Sequence, residues 1–364
     1  MIIKDITNYL EELAPLQYAE DFDNVGLLVG HYQTEVTGVL VTLDTLETVV
    51  DEAIEKKCNL IVSFHPIIFS GLKKINGNNY VERVVLKAIK NNIAIYSMHT
   101  ALDNSIKGVS AMMAEKLNLQ NTEILLPKSG FIKKLTTYVP DQVADRVRRA
   151  LFEAGAGAIG NYDNCSYNIR GLGTYKGNEK SNPALGKKGV LQQEKETFIS
   201  VVFEKHLENA VVKALFKNHP YEEVAYDVIT TDNSHQNIGM GMVGELPEPT
   251  NENNFLSLLK DTFHLKAIRH SNLLDKPIKK VAVLGGSGSF AIEAAKRSNA
   301  DCYVSADFKY HDFYKAENQI VLADIGHYES EQFTKNLLVD YLTKKFRNFA
   351  VVLSGINTNP INYI

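Results

Sequence analysis

The stretch NLIVSFHPIIFSG (residues 59–71) decides how the chain is read. The short apolar run LIVSF stops abruptly at His65-Pro66, and a second apolar run follows. A brief run of this kind reads as a strand buried on both faces. Proline closes it, because it has no N–H to give the next ladder bond and its φ is fixed. A buried strand ending in an imidazole delivers a polar side chain to the rim of the sheet. Open α/β sheets gather their functional groups in the crevice beyond those carboxyl ends.

The same pattern recurs on both sides of this stretch. GVLVTLD (38–44), IAIYSMHT (93–100), KVAVLGG (280–286), DCYVSAD (301–307), QIVLADI (319–325) and FAVVLSG (349–355) read as further strands. LETVVDEAIEKK (46–57), YVERVVLKAIKN (80–91), SFAIEAAKRS (289–298) and EQFTKNLLVDYLTKKF (331–346) carry apolar residues at helical spacing between them. Strand–helix alternation predicts a layered α/β domain. DFDNVGLLVG (21–30), with Asp23-Asn24 and Gly26, reads as a turn.

The middle of the chain has another rhythm. FIKKLTTYVP (131–140), NYDNCSYNIRGLGTY (161–175), KETFISVVFEK (195–205) and EEVAYDVITT (222–231) read as strands. DQVADRVRRALFEAG (141–155) and LENAVVKALFKNH (207–219) read as helices. That β-α-β-β-α-β order is the ferredoxin-like unit. The expectation is an inserted α+β domain over residues 130–236, with the α/β domain discontinuous over 1–129 and 237–364. Residues 176–194 form a polar loop inside the insert.

Composition narrows the class. Of 364 residues, 45% are hydrophobic and 23% charged, as in an ordinary globular protein. The net charge of −4 leaves no electrostatic footprint for nucleic acid or an anionic membrane. Cys58, Cys165 and Cys302 are odd in number and far apart, which argues against a disulfide framework or a thiolate zinc site. No apolar run reaches membrane-spanning length, and the acidic amphipathic start is not a signal peptide, so a cytoplasmic location is expected.

Several predicted strand ends carry groups able to bind a metal. One delivers His65, another His99 and Asp103, a third Asp307 and His311, and a fourth Asp324, His327 and Glu331. His327 and Glu331 are four apart at a predicted helix start and share one face. Mixed imidazole and carboxylate groups suit zinc, iron, manganese, nickel or cobalt alike. Asp103 also reads as a helix N-cap, and HYESE as a solvated first turn. The glycine-rich turn at Gly285, Gly286 and Ser287 is a candidate phosphate cradle or a plain tight turn.

DNVGLLVG, SFHPIIF, HTALDN, VLGGSGS, SADFKYHD and DIGHYESE, in this order, resemble the Nif-three-like family of dinuclear metal centre proteins, whose members are also known as GTP cyclohydrolase 1 type 2 homologues. The resemblance runs from about residue 20 to residue 355, and the insert looks like the PII and CutA-like domain of longer bacterial members. It implies two divalent metal ions in the crevice, one or two per chain once the departure below is counted, and a ring-shaped homohexamer. Carried over position by position, the metal ligands are His65, Asp103, His327 and Glu331. One departure stands out: the family pattern has two adjacent histidines before the proline, and here the first place holds Phe64. Phe22 likewise stands where the family has tryptophan.

Two functions follow as expectations. One is a metal-dependent hydrolase of a nucleotide or related purine compound, with His99 and His311 as proton shuttles. The other is a non-catalytic oligomeric metal-binding scaffold or regulator whose insert binds a partner or effector.

Overall fold

The computed structural model describes residues 1–364. The chain opens with strands β1 (Gly26–Val29), β2 (Val39–Thr42), β3 (Leu60–Ser63), β4 (Ala94–Ser97) and β5 (Gln120–Ser129). β6 (Ile132–Pro140), β7 (Tyr167–Tyr175), β8 (Gln192–Glu204) and β9 (Tyr226–Thr231) come next. β10 (Ser234–Thr250), β11 (Arg269–His270), β12 (Ile278–Ser287), β13 (Cys302–Ala306), β14 (Val321–Asp324) and β15 (Val351–Leu353) complete the set. The residues separate into two compact units, Met1–Pro127 with Asn237–Ile364, and Lys128–Gln236.

The larger unit holds two sheets, ordered β1-β4-β3-β2-β15 and β11-β14-β13-β12-β10-β5. β2, β3, β4 and β15 run parallel, as do β12, β13 and β14, so each sheet has several carboxyl ends at one edge. Period-two alternation explains why these strands are apolar throughout. Val39, Val41, Leu60 and Val62 join one core, whereas Leu40 and Ile61 join another on the opposite face. The first core also takes Val281, Val283 and Val304 from the second sheet, with Leu10, Met113, Phe255 and Leu338 from helices. Each such side chain contributes about 1.5–3 kcal/mol when fully buried. The helices Glu47–Glu55 and Tyr80–Lys90 cover the outer face of the first sheet through Val49, Val50, Val84 and Val85. Asn79 caps the second of them by accepting the Glu82 N–H.

Two segments differ from expectation. DFDNVGLLVG is not only a turn: its second half is β1, antiparallel to β4 with Gly26 opposite Ser97. β10 carries glycines at 239, 241 and 244 and prolines at 247 and 249, all poor strand formers. It becomes a strand through tertiary pairing with β12, where Met242 faces Val283 and Val243 faces Ala282.

The smaller unit is a four-stranded antiparallel sheet ordered β7-β8-β6-β9, with helices Ala144–Glu153 and Glu208–Asn218. This is the ferredoxin-like arrangement. Leu135, Val139, Ile199, Val201 and Phe203 pack under both helices through Val147, Leu151, Val211 and Leu215. Tyr138, Tyr167, Ile169 and Ile229 remain exposed. No helix in the chain is long and apolar enough to cross a membrane.

Candidate metal centre

Strand ends from both sheets of the larger unit build one cluster. β3 exits into Phe64 and His65, whose N–H groups donate to Thr42 O (3.1 Å) and Leu43 O (2.9 Å). This fixes the place from which the His65 ring projects. After β14, Gly326 turns the chain at φ +90°, conformational space that glycine enters without strain, and the helix His327–Glu331 begins. Residues four apart share a helix face, so His327 and Glu331 present together.

One ligand atom each from His65, His327 and Glu331 lies within 4.8 Å of the others. Both imidazole Nε2 atoms approach Glu331 Oε2 at 3.2 Å. That oxygen is buried, and neither approach gives it an aligned hydrogen bond. A buried carboxylate oxygen left in this state is costly unless a cation meets it.

The opposite ring nitrogens are all occupied. His65 Nδ1 meets Asp44 Oδ1 at 2.8 Å, and His327 Nδ1 meets Asp307 Oδ2 at 2.7 Å. His99, whose ring centroid lies 5.3 Å from that of His65, holds Asp23 Oδ1 through Nδ1 at 2.8 Å. A carboxylate on Nδ1 sets the tautomer and leaves Nε2 for a metal or a proton. His99 and Asp307 have φ of +26° and +59°, a left-handed backbone that side chains other than glycine rarely adopt. Such strain, on the order of 1–3 kcal/mol per residue, gathers at functional sites.

The charges respond to one another. Burial alone would lower the His65 pKa, but Asp44 and Glu331 outweigh it and carry it to about 10. Burial opposes His327 likewise, yet Asp307 and Glu331 carry it to about 11. Burial would raise Glu331, but His327 and His65 pull it down to about 2. Asp103 is pushed well above the usual carboxylate range by burial and by the charge of Glu331, which His65 only partly offsets.

Other expected site residues fall differently. Asp103 feels the charges of the cluster but stands outside the trio within 4.8 Å. His311 lies exposed on the 3-10 helix Tyr310–Ala316, its ring against Tyr310 and Tyr314 rather than the cluster histidines. Asp324 is structural: it pairs with Arg269 and accepts the Phe308 N–H at 2.9 Å. At the Gly285–Ser287 turn the Gly286 N–H already has a partner within the chain. These residues extend β12, and the Gly286 N–H donates to Ser330 Oγ at 2.9 Å. Glycine is required there because a Cβ on Gly286 would collide with Glu331 Oε1. The orienting role of Asp44 was missed, although it ends the strand next to β3 and the strand-end rule points to it.

A family model described as Duf34/NIF3 (NGG1p interacting factor 3) matches residues 1–360. The chain belongs to the Duf34/NIF3 family. It is 38% identical over 368 residues to a Bacillus subtilis protein named GTP cyclohydrolase 1 type 2 homolog, covering 99% of this chain and 98% of that one. Among solved structures, a Bacillus cereus protein related to NIF3 aligns with TM-score 0.86 and 36% identity over 100% of this chain and 99% of that one. A Staphylococcus aureus protein aligns with TM-score 0.79 and 30% identity, with the same coverage. In this Duf34/NIF3 member the architecture is mixed α/β with several sheets, and His65, His327 and Glu331 form a group of the kind that can hold a metal ion.

Proposed function

We propose that the protein is a metal-dependent hydrolase whose centre is held by His65, Asp103, His327 and Glu331. The carrying observation is the convergence of His65, His327 and Glu331 within 4.8 Å, with each imidazole pinned on its far side by a carboxylate. The donor set fits a divalent first-row ion such as zinc, iron, manganese, nickel or cobalt. Such an ion would supply a water of pKa lowered toward ~7 as the nucleophile. Glu331 spans the two imidazoles, and Asp103 adds negative charge. His99, tethered to Asp23, takes or returns a proton through Nε2.

The substrate class is a nucleotide or related purine compound. Exposed Phe22 and Phe69 stand 6.4 Å apart by ring centroid, and Phe69 lies 6.3 Å from His99, an aromatic rim suited to a flat base. Purified protein screened against GTP and other nucleotides after metal loading should show turnover that Asp103→Ala abolishes. Metal-loaded protein without turnover on any nucleotide would favour the second reading, a non-catalytic metal-binding scaffold or regulator, which the aromatic ring of Phe64 in a ligand's place supports.

The inserted unit serves assembly in this reading, as its likeness to PII and CutA-like domains suggests. Its sheet has helices on one face and exposed Tyr167 and Ile229 away from them, apolar surface that a second copy of the chain would cover. Joining Pro127 to Asn237 should leave a soluble α/β protein of smaller assembly size. An unchanged mass by light scattering would refute the contact role.

A further inference from the structure

We propose that the inserted unit carries a pocket for an organic cation, a primary amine or guanidinium on a flat apolar body, held by the carboxylate of Glu196. A cavity of about 780 Å³ lies wholly within this unit, between the sheet and the loop that follows β7. That volume is in the range of small-molecule sites. Glu196 lines it and is only 8% exposed. Its Oε1 accepts the Tyr221 hydroxyl at 2.8 Å, whereas Oε2 receives no donor, and no Lys, Arg or His pairs with the carboxylate. The carboxylate thus offers the cavity an oxygen free of protein donors, which an N–H group, and a charged one above all, would meet.

The surroundings are built around that group. Gly173 makes room for it, since a Cβ there would collide with Oε2. Tyr221 is pinned from behind: its N–H donates to His219 Nδ1 at 3.2 Å, so the proton of a neutral His219 sits on Nε2 and is donated to Tyr138 O at 3.0 Å. Burial holds His219 below its ordinary range, which keeps it neutral. Burial and the neighbouring Glu196 push the Tyr221 hydroxyl up, so it remains a donor.

Aromatic pairs supply the walls. Tyr138 and Phe198 lie 5.5 Å apart, and Tyr175 and Tyr221 5.8 Å apart, by ring centroid. Ring faces attract a cation. The loop is tied across the cavity by the Asn182 N–H, which donates to Glu222 Oε1 at 2.6 Å. With Glu223 beside it, acids outnumber the bases Arg170 and Lys176 in the lining, and an anionic ligand is disfavoured.

The test uses the full-length protein in its native assembly and three probes of one shape: 2-phenylethylamine, 2-phenylethanol and phenylacetate. Saturable binding of the amine is expected by ligand-observed NMR, roughly tenfold or more tighter than the alcohol, with the acid weakest. Glu196→Gln should erase the preference for the amine while leaving metal content unchanged. Tyr221→Phe, a milder change, should weaken the amine severalfold and provides the arm needed if the first variant fails to fold. Equal affinity for amine and alcohol in the unmodified protein, or no saturable amine binding, overturns the proposal. So does amine binding that both variants leave intact.

Discussion

Glu331→Gln is expected to abolish tight metal binding, with an affinity loss of at least about a hundredfold. Changes to groups that merely orient a ligand already cost about 10–100-fold, and Glu331 is the carboxylate that both imidazoles face. Without metal, the protons on His65 and His327 stand where an ion would. Their folded pKa values, about 10 and about 11, lie above the ordinary 6.5. Their stabilisation is therefore complete below pH 6.5 and is lost as pH rises through about 10. Glu331, at about 2 against an ordinary 4.5, has the opposite sign: its contribution is present above 4.5 and is lost as pH falls through about 2. Metal-free protein should then melt highest between these limits, and the variant should lose its alkaline stability at lower pH. Metal uptake must displace the imidazole protons, about two per ion near neutral pH, readable by calorimetry in buffers of different ionisation enthalpy. Metal retained by the variant through dialysis, or uptake without proton release, would show that Glu331 does not hold the ion.

The α/β architecture was legible because buried parallel strands leave a strong trace. LIVSF and GVLVTLD are continuous apolar runs whose alternate residues fill two different cores. β10 was illegible for the converse reason, since its glycines and prolines carry no strand signal and pairing with β12 imposes the conformation. In the site, strand ends and helical spacing place His65, His327 and Glu331 among a wider set of candidates, and the family resemblance singles them out together with Asp103. The carboxylates on Nδ1 could not be matched to their histidines, because Asp23 and His99 are 76 residues apart in sequence. The Gly285–Ser287 turn shows how a glycine signal can have a cause within the chain: Gly285 leaves room for Val109, and Gly286 for the carboxylate of Glu331.

Phe64→His is expected to raise the bound metal from about one ion per chain to about two. His65 turns toward Asp44 and Glu331, while Phe64 is wholly buried in the core with its ring 4.9 Å from that of His65 and 5.6 Å from that of His99. Its backbone is held as well, the carbonyl accepting the His99 N–H at 2.9 Å and the Ser97 hydroxyl at 2.7 Å. An imidazole at 64 would therefore start from a fixed place beside His99. A phenyl ring offers no lone pair and also keeps out the water that could complete a second coordination sphere. Restoring the imidazole costs apolar burial, on the order of 1.5–3 kcal/mol, so the metal-free variant should melt lower. Added metal should recover that loss, because an ion that binds only the folded state stabilises it by mass action. Two firmly held ions in the unmodified protein after dialysis, or a variant that stays at one, would mean that Phe64 does not set the metal count.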